Sequence, residues 1–166
     1  MVAFDAQFLW NGLVVGSLVA VSALGLTLIF GVLDFINIAY GDYMALGAYV
    51  AFGVNVQFDL PLVLAGVVGV VVTGVAAVAF DKLVFEHFRD RDPIVLLVVS
   101  IGLAFVLRNA IRIGWGTGSR QFAVPIETGT EVLGAIVLVD QVVIILVSFL
   151  ILGVTFGLLR YTDVGI

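Results

Sequence analysis

Long apolar runs without a charged residue dominate this chain. From Ala6 to Leu33 there is no Asp, Glu, Lys or Arg, and the same holds from Leu60 to Phe80 and from Gln141 to Leu159. Each run has close to or more than the ~20 residues that a helix needs to span about 30 Å of hydrocarbon. In water such surface would drive aggregation, whereas in lipid it is the ordinary surface of a spanning helix. The pattern therefore predicts a membrane protein.

Short polar segments separate these runs and predict an all-α, polytopic transmembrane helix bundle. We expect about five spanning helices that form a single transmembrane domain over residues 1–166. They cover about residues 7–30, 43–58, 60–80, 93–113 and 138–159. The second helix is short for a full span. Either it begins before Gly41 and carries Asp42 into the membrane, or a short re-entrant or interfacial piece precedes it. Residues 132–139 are either a short extended piece or the lead-in to the last helix.

Composition supports the membrane prediction and excludes several kinds of chemistry. Hydrophobic residues make up 63% of the chain and charged residues 11%. A soluble domain has about 45–50% apolar residues and about 25% charged residues. The chain has no cysteine, so it has no disulfide, thiol nucleophile or Cys-based metal site. His87, the single histidine, cannot make a zinc site by itself. No nucleophile–base set or metal-ligand spacing is present, so we expect no catalytic residue, no metal, no resident cofactor and no enzyme activity.

The charge balance argues against a nucleic-acid partner. The formal net charge is −5 and Lys82 is the single lysine, whereas nucleic-acid binding favours basic patches. An acidic, lysine-poor balance is typical of a salt-loving host, whose proteins carry acidic loops that face solvent. The alternative is chance, because so few residues of this chain face water.

Basic residues predict the orientation in the cell membrane. We interpret the most charged stretch, Asp81–Asp92, as a solvated connector; the alternative is a loop that contacts the membrane surface or a partner. The positive-inside rule places this loop and the C-terminus in the cytoplasm and the N-terminus outside. The start of the chain, Met1–Asp5, lacks the basic region of a cleaved signal peptide, so the first apolar run is expected to be retained as a helix.

Small residues along the predicted helices are candidates for helix packing, because they let a second backbone approach closely in lipid. The alternative is that glycine is simply common in membrane helices. The candidates for packing are Gly12, Gly16, Gly25 and Gly47.

Two arginines lie near the end of the fourth predicted helix. Arg108 and Arg112 are spaced i and i+4, which places them on one helix face. They could extend to the lipid headgroups, or they could face an aqueous vestibule.

Polar residues also mark the junction of the first and second helices. Asn37, Gly41 and Asp42 interrupt an otherwise apolar stretch. A carboxylate at Asp42 could cap the second helix, since anions suit helix N-termini. It could equally take part in gating.

The stretch from Asn11 to Tyr49 resembles a known family. Its motifs are ALGLTLI at Ala23–Ile29, GVL at Gly31–Leu33, INIAYGD at Ile36–Asp42 and MALGAY at Met44–Tyr49. This order is similar to the opening of the membrane permease of branched-chain amino-acid ABC importers, the Liv-type permeases. The family often has Phe at the position of Ile38 and His at the position of Tyr40. The loss of that histidine removes any role that depends on its titration.

Two later segments continue the resemblance. Pro93–Leu103 reads PIVLLVVSIGL, which is similar to a helix of the family. Arg160–Gly165 reads RYTDVG, which is similar to the start of the cytoplasmic loop that docks on the ATPase. The resemblance implies that the chain is the N-terminal part of a permease and stops before the remainder of that loop and the later helices.

The resemblance also implies a function. An extracytoplasmic solute-binding protein would deliver a branched-chain amino acid or a related small solute to a path formed with a second permease subunit in the lipid bilayer. Separate cytoplasmic ATPase subunits would bind ATP and drive the cycle, so the chain itself would hold no cofactor. Two alternatives stay open. A secondary transporter or channel predicts intramembrane charge pairs or broken helices, and a non-transporting membrane subunit would fit the short length.

Overall fold

The computed structural model describes the backbone of residues 2–123 and 129–161, and the side chains of residues 6–123 and 129–161. The described part contains five long helices, a 3₁₀ turn and one β-hairpin, which confirms the predicted all-α class. The helices are α1 Val2–Leu33, α2 Tyr40–Phe58, α3 Leu62–Leu83, α4 Pro93–Trp115 and α5 Val139–Tyr161. The 3₁₀ turn is Phe85–Phe88, and the hairpin pairs β1 Thr130–Val132 with β2 Ala135–Val137 in antiparallel register. Of the two predictions for residues 132–139, the short extended piece is therefore correct.

Four segments of the described chain are long and apolar enough to cross a membrane. They are Ala6–Leu33, Leu62–Phe88, Pro93–Trp115 and Val139–Tyr161. The helix α2 forms where a fifth span was expected but is not one of the four, because its 19 residues include polar side chains such as Asp42, Asn55 and Gln57. It begins at Tyr40 rather than near residue 43, so the helix starts before Gly41 and contains Asp42, as one of the two alternatives predicts. A position of Asp42 within the membrane stays a prediction.

The chain groups into two compact units, residues 1–28 with 126–166 and residues 29–125. The expectation of a single domain stays a prediction.

In the first unit, side chains near the start of α1 hold the hairpin and α5. The Gln7 amide donates to the Ile136 carbonyl and accepts from the Ile136 N–H at 2.7 Å. Trp10 donates its indole N–H to the Gln141 side chain at 2.6 Å.

The second unit contains the larger buried core. The buried residues of α4 recur every three or four positions, which is the spacing of one helix face. They are Leu96, Ser100, Leu103, Ala104, Leu107 and Ile111. Phe35 and Phe85 join this core with ring centroids 5.4 Å apart. The first turn of α4 is fixed by Asp92, whose carboxylate accepts the Ile94 N–H at 2.9 Å, and by Pro93 at the first helical position.

Glycine permits the close approach of α2 and α3. A Cβ added to Gly69 would lie 2.6 Å from the Gly47 carbonyl oxygen and 3.1 Å from the Ala51 Cβ. A Cβ on Gly47 would lie 2.9 Å from the Thr73 hydroxyl. Gly47 therefore lies in a tight helix contact, as the packing hypothesis for it requires.

The other packing candidates have different surroundings. Gly12 and Gly16 are exposed, and a Cβ on either would meet no atom within 4 Å among the described residues. Gly25 is half-buried. A packing role for these three glycines stays a prediction.

Replacing Gly69 by alanine should destabilise the contact of α2 with α3. The new methyl group would meet a backbone carbonyl, which cannot move without shifting a helix. Overpacking of this kind costs about 1–3 kcal/mol. Thermal unfolding in detergent micelles, followed by tryptophan fluorescence, should show a lower midpoint for Gly69→Ala than for the wild type.

The matched control is Gly74→Ala in the same helix. A Cβ there meets no described atom within 4 Å, and the gain in helix propensity is the same at both positions. Equal midpoints for the two variants would contradict the close contact.

Candidate functional site

The site begins where the chain leaves α1 and enters α2. Asp34 follows α1 in the left-handed region at φ 55°, which asparagine and aspartate tolerate better than most residues. Its N–H donates to the Phe30 carbonyl at 2.9 Å and ends the helix. Phe35 then turns into the core and is only 4% exposed. Every second residue of this non-helical segment is buried, namely Phe35, Asn37 and Ala39, whereas Asp34, Ile36 and Ile38 are exposed.

Ser100 of α4 fixes the same junction. Its hydroxyl accepts the Ile38 N–H at 3.1 Å and donates to the Leu97 carbonyl at 2.7 Å, and the residue is fully buried. The Asn37 side chain accepts the Ala39 N–H at 3.0 Å. These bonds satisfy backbone groups that the break between α1 and α2 leaves without helical partners.

An ion pair joins α2 to α4 just beyond this junction. The Arg108 Nε donates to the Asp42 Oδ1 at 3.1 Å, and the Arg108 Nη2 donates to the Asp42 Oδ2 at 3.2 Å. Side-chain exposure is 10% for Asp42 and 52% for Arg108. Both carboxylate oxygens are thus engaged by one guanidinium in the two-point geometry that arginine favours.

A cavity of about 310 Å³ lies beside the ion pair, within the second unit. Arg112 lines it one helical turn after Arg108, and its guanidinium makes no hydrogen bond or ion pair to any other residue that the structure describes. The cavity therefore combines a paired carboxylate, a paired guanidinium and an unpaired guanidinium with apolar walls. It is lined by Asp42, Ala45, Tyr49, Arg108, Ile111, Arg112, Gly116 and Thr117.

Comparison with known families covers nearly the whole chain. The profile of the family described as "Branched-chain amino acid transport system / permease component" matches residues 8–166. The chain belongs to this permease family. Together with the four apolar helices, this makes it a multi-pass membrane protein.

Individual relatives agree with the family. The chain is 29% identical to the high-affinity branched-chain amino acid transport system permease protein LivH of Escherichia coli K12, over 96% of this chain and 56% of that protein. It is 27% identical to LivH of Salmonella typhimurium over the same shares. It is 27% identical to the corresponding protein BraD of Pseudomonas aeruginosa, over 92% of this chain and 53% of BraD. The chain thus spans about half the length of these curated relatives. No solved structure matches it.

The permease fold brings together residues that were predicted as separate candidates. Asp42 was proposed as a helix cap or gating residue, and Arg108 and Arg112 as headgroup or vestibule residues. All three line one cavity. Asp42 lies in the first turn of α2, but Ala39 occupies the N-cap position and no side chain caps it by a hydrogen bond. The Asp42 carboxylate bonds to Arg108 instead.

The other two candidates at the junction differ from each other. Asn37 is 7% exposed and holds the turn before α2 through its bond to the Ala39 N–H. Gly41 is exposed, and a Cβ there would meet no described atom within 4 Å. The space around Gly41 therefore gives no reason for glycine at this position.

Three members of this site were not identified from the sequence: Ser100, Tyr49 and Thr117. Ser100 carries one available signal, since a serine within an apolar run must find a hydrogen-bond partner. Ionisable residues in spanning segments usually pair with one another, which favours some partner for Asp42 but does not identify Arg108. No short-range pattern links them, as 66 positions separate the two residues.

Removal of the Ser100 hydroxyl should loosen the junction. Ser100→Ala leaves the Ile38 N–H without an acceptor in a partly buried place, which costs about 1 kcal/mol, the lower end of the range for a buried group. Hydrogen exchange measured by mass spectrometry should become faster in peptides that cover residues 34–42.

Ser22→Ala is the control for this variant. The Ser22 hydroxyl donates only to the Leu18 carbonyl of its own helix, at 2.8 Å, so its loss should leave exchange unchanged. Unaltered exchange around Ile38 in Ser100→Ala would mean that Ser100 does not hold the junction.

Proposed function

We propose that this chain is a permease component of an ABC importer that moves branched-chain amino acids or a related small solute across the cell membrane. The observation that carries the proposal is the family match over residues 8–166. Relatives named as branched-chain amino acid permeases, LivH and BraD, support the choice of solute.

The working assembly contains several partners. A second permease subunit completes the path, an extracytoplasmic binding protein delivers the solute, and separate ATPase subunits supply the energy. We place the N-terminus outside and the Asp81–Asp92 loop and the C-terminus in the cytoplasm, an orientation that requires α2 to cross the membrane as a fifth segment beside the four apolar ones. The chain performs no bond chemistry, so its contribution to transport is a set of alternating conformations that ATP hydrolysis elsewhere drives.

The ion pair and its cavity are the candidate gating region of this importer. Ionisable residues among apolar helices are costly, and they commonly mark solute paths. The cavity volume of about 310 Å³ lies at the lower end of the ~300–1,000 Å³ typical of small-molecule sites. A single amino acid fits that size class better than a peptide.

Uptake of radiolabelled leucine tests the proposal. The chain is expressed with the permease partner, ATPases and binding protein of its host, in cells that lack their own leucine importers. We expect uptake that requires all components and stops when the ATPase active site is inactivated. Uptake that survives this inactivation but stops with a protonophore would indicate a secondary transporter, and no uptake of any small solute would contradict an importer.

Asp42→Asn tests the gating region in the same assay. The substitution keeps the shape but removes the charge that pairs with Arg108, so we expect uptake to fall at least about tenfold, which corresponds to about 1.4 kcal/mol. Asp90→Asn, in the exposed loop before α4, is the control. If Asp42→Asn transports normally at equal membrane abundance, then the ion pair has no part in gating.

A further inference from the structure

The cavity beside the ion pair carries an unbalanced positive charge. Asp42, Arg108 and Arg112 are the only charged residues that line it within the described chain. Arg108 neutralises Asp42 by bonds to both carboxylate oxygens. The charge of Arg112 is therefore left without a counter-charge among the described residues that line this cavity.

Arg112 is exposed, and no described residue of the cavity can balance its charge by a simple rearrangement. Asp42 is already occupied at both oxygens by Arg108, so it offers no free acceptor to Arg112. A guanidinium close to apolar helix surface is costly unless an anion or water solvates it. The geometry thus leaves a place for an oxyanion from outside the chain.

The shape of the donor decides which oxyanion suits this place. A guanidinium offers parallel N–H groups that match the two oxygens of a carboxylate. The side chains of Ala45 and Ile111 line the same cavity and would suit an aliphatic group attached to that carboxylate. We propose that Arg112 binds the carboxylate of the transported amino acid in this cavity. This inference rests on the proposed importer function and adds a residue and a chemical group to it.

The Asp42–Arg108 pair has a defined part in this site. Because Arg108 holds Asp42, the carboxylate of Asp42 does not compete for Arg112. Arg112 binds the solute directly, whereas Arg108 is a positioning residue that acts through Asp42.

Phosphate in an anionic lipid headgroup has the same oxyanion chemistry as a carboxylate. The experiment therefore uses the purified chain in nanodiscs of phosphatidylcholine, with and without phosphatidylglycerol. Binding of tritiated L-leucine is measured directly, and binding of L-leucinol is measured by competition. L-leucinol keeps the aliphatic and ammonium groups but has a hydroxyl in place of the carboxylate.

The wild type should bind L-leucine at least about tenfold more tightly than L-leucinol. Arg112→Gln should weaken L-leucine binding at least about tenfold, because the carboxylate contact is lost, and should not weaken L-leucinol binding, because that cation has no carboxylate and is repelled by the guanidinium. Arg112→Lys keeps the positive charge but lacks the planar guanidinium. Its affinity for L-leucine should therefore lie between those of the wild type and Arg112→Gln. Arg91→Gln, at an exposed loop position that does not line the cavity, should leave both ligands unaffected.

Three results would overturn the inference. The first is equal L-leucine affinity in the wild type and Arg112→Gln. The second is parallel weakening of both ligands, which would indicate a structural effect. The third is Arg112-dependent retention of phosphatidylglycerol without a change in L-leucine binding, which would identify a lipid phosphate as the occupant. The uptake assay distinguishes failure of the importer function from failure of the Arg112 site. If the importer moves leucine but the affinity for L-leucine does not depend on Arg112, then only the proposed role of Arg112 is wrong.

Discussion

The arrangement of the site depends on the need to neutralise one buried carboxylate. Asp42 is 10% exposed and lies in the first turn of α2, close to apolar helices. Burial of an unpaired charge in such surroundings is strongly unfavourable. Arg108 meets this need with two hydrogen bonds, and in doing so it fixes which face of α4 approaches α2. The cavity and the position of Arg112 follow from that contact.

The break between α1 and α2 depends on the same region of α4. Non-helical backbone among apolar helices is tolerated only where its N–H and C=O groups find partners. Ser100 supplies an acceptor for Ile38, and Asn37 supplies one for Ala39. One face of α4 thus holds the junction through Ser100 and the start of α2 through Arg108, two helical turns apart. A shift of α4 would change both contacts together, which is the kind of coupling that a gate requires.

Much of the fold was predictable because it follows from local pattern. Uncharged runs such as Ala6–Leu33 fix the helices through length and apolarity alone, and the break near Asp34 follows from its polar residues. The candidate residues Asp42, Arg108 and Arg112 were also identified, since charges in apolar segments are rare. Their convergence was not predictable, because contacts across 66 positions depend on how whole helices pack. The close contact of Gly47 with Gly69 depends on packing in the same way, and nothing in the sequence distinguishes Gly47 from the open Gly12.

A double-mutant cycle of Asp42→Asn and Arg108→Gln tests the central ion pair most directly, with unfolding free energies measured by SDS titration in mixed micelles. Because Arg108 is about half exposed, solvent screening reduces the coupling, and we expect about 1 kcal/mol. The exposed pair of Asp81 and Arg89, at 2.6 Å, is the matched control and should give a smaller coupling energy. Additive effects of the two substitutions at Asp42 and Arg108, with no coupling beyond error, would contradict the account.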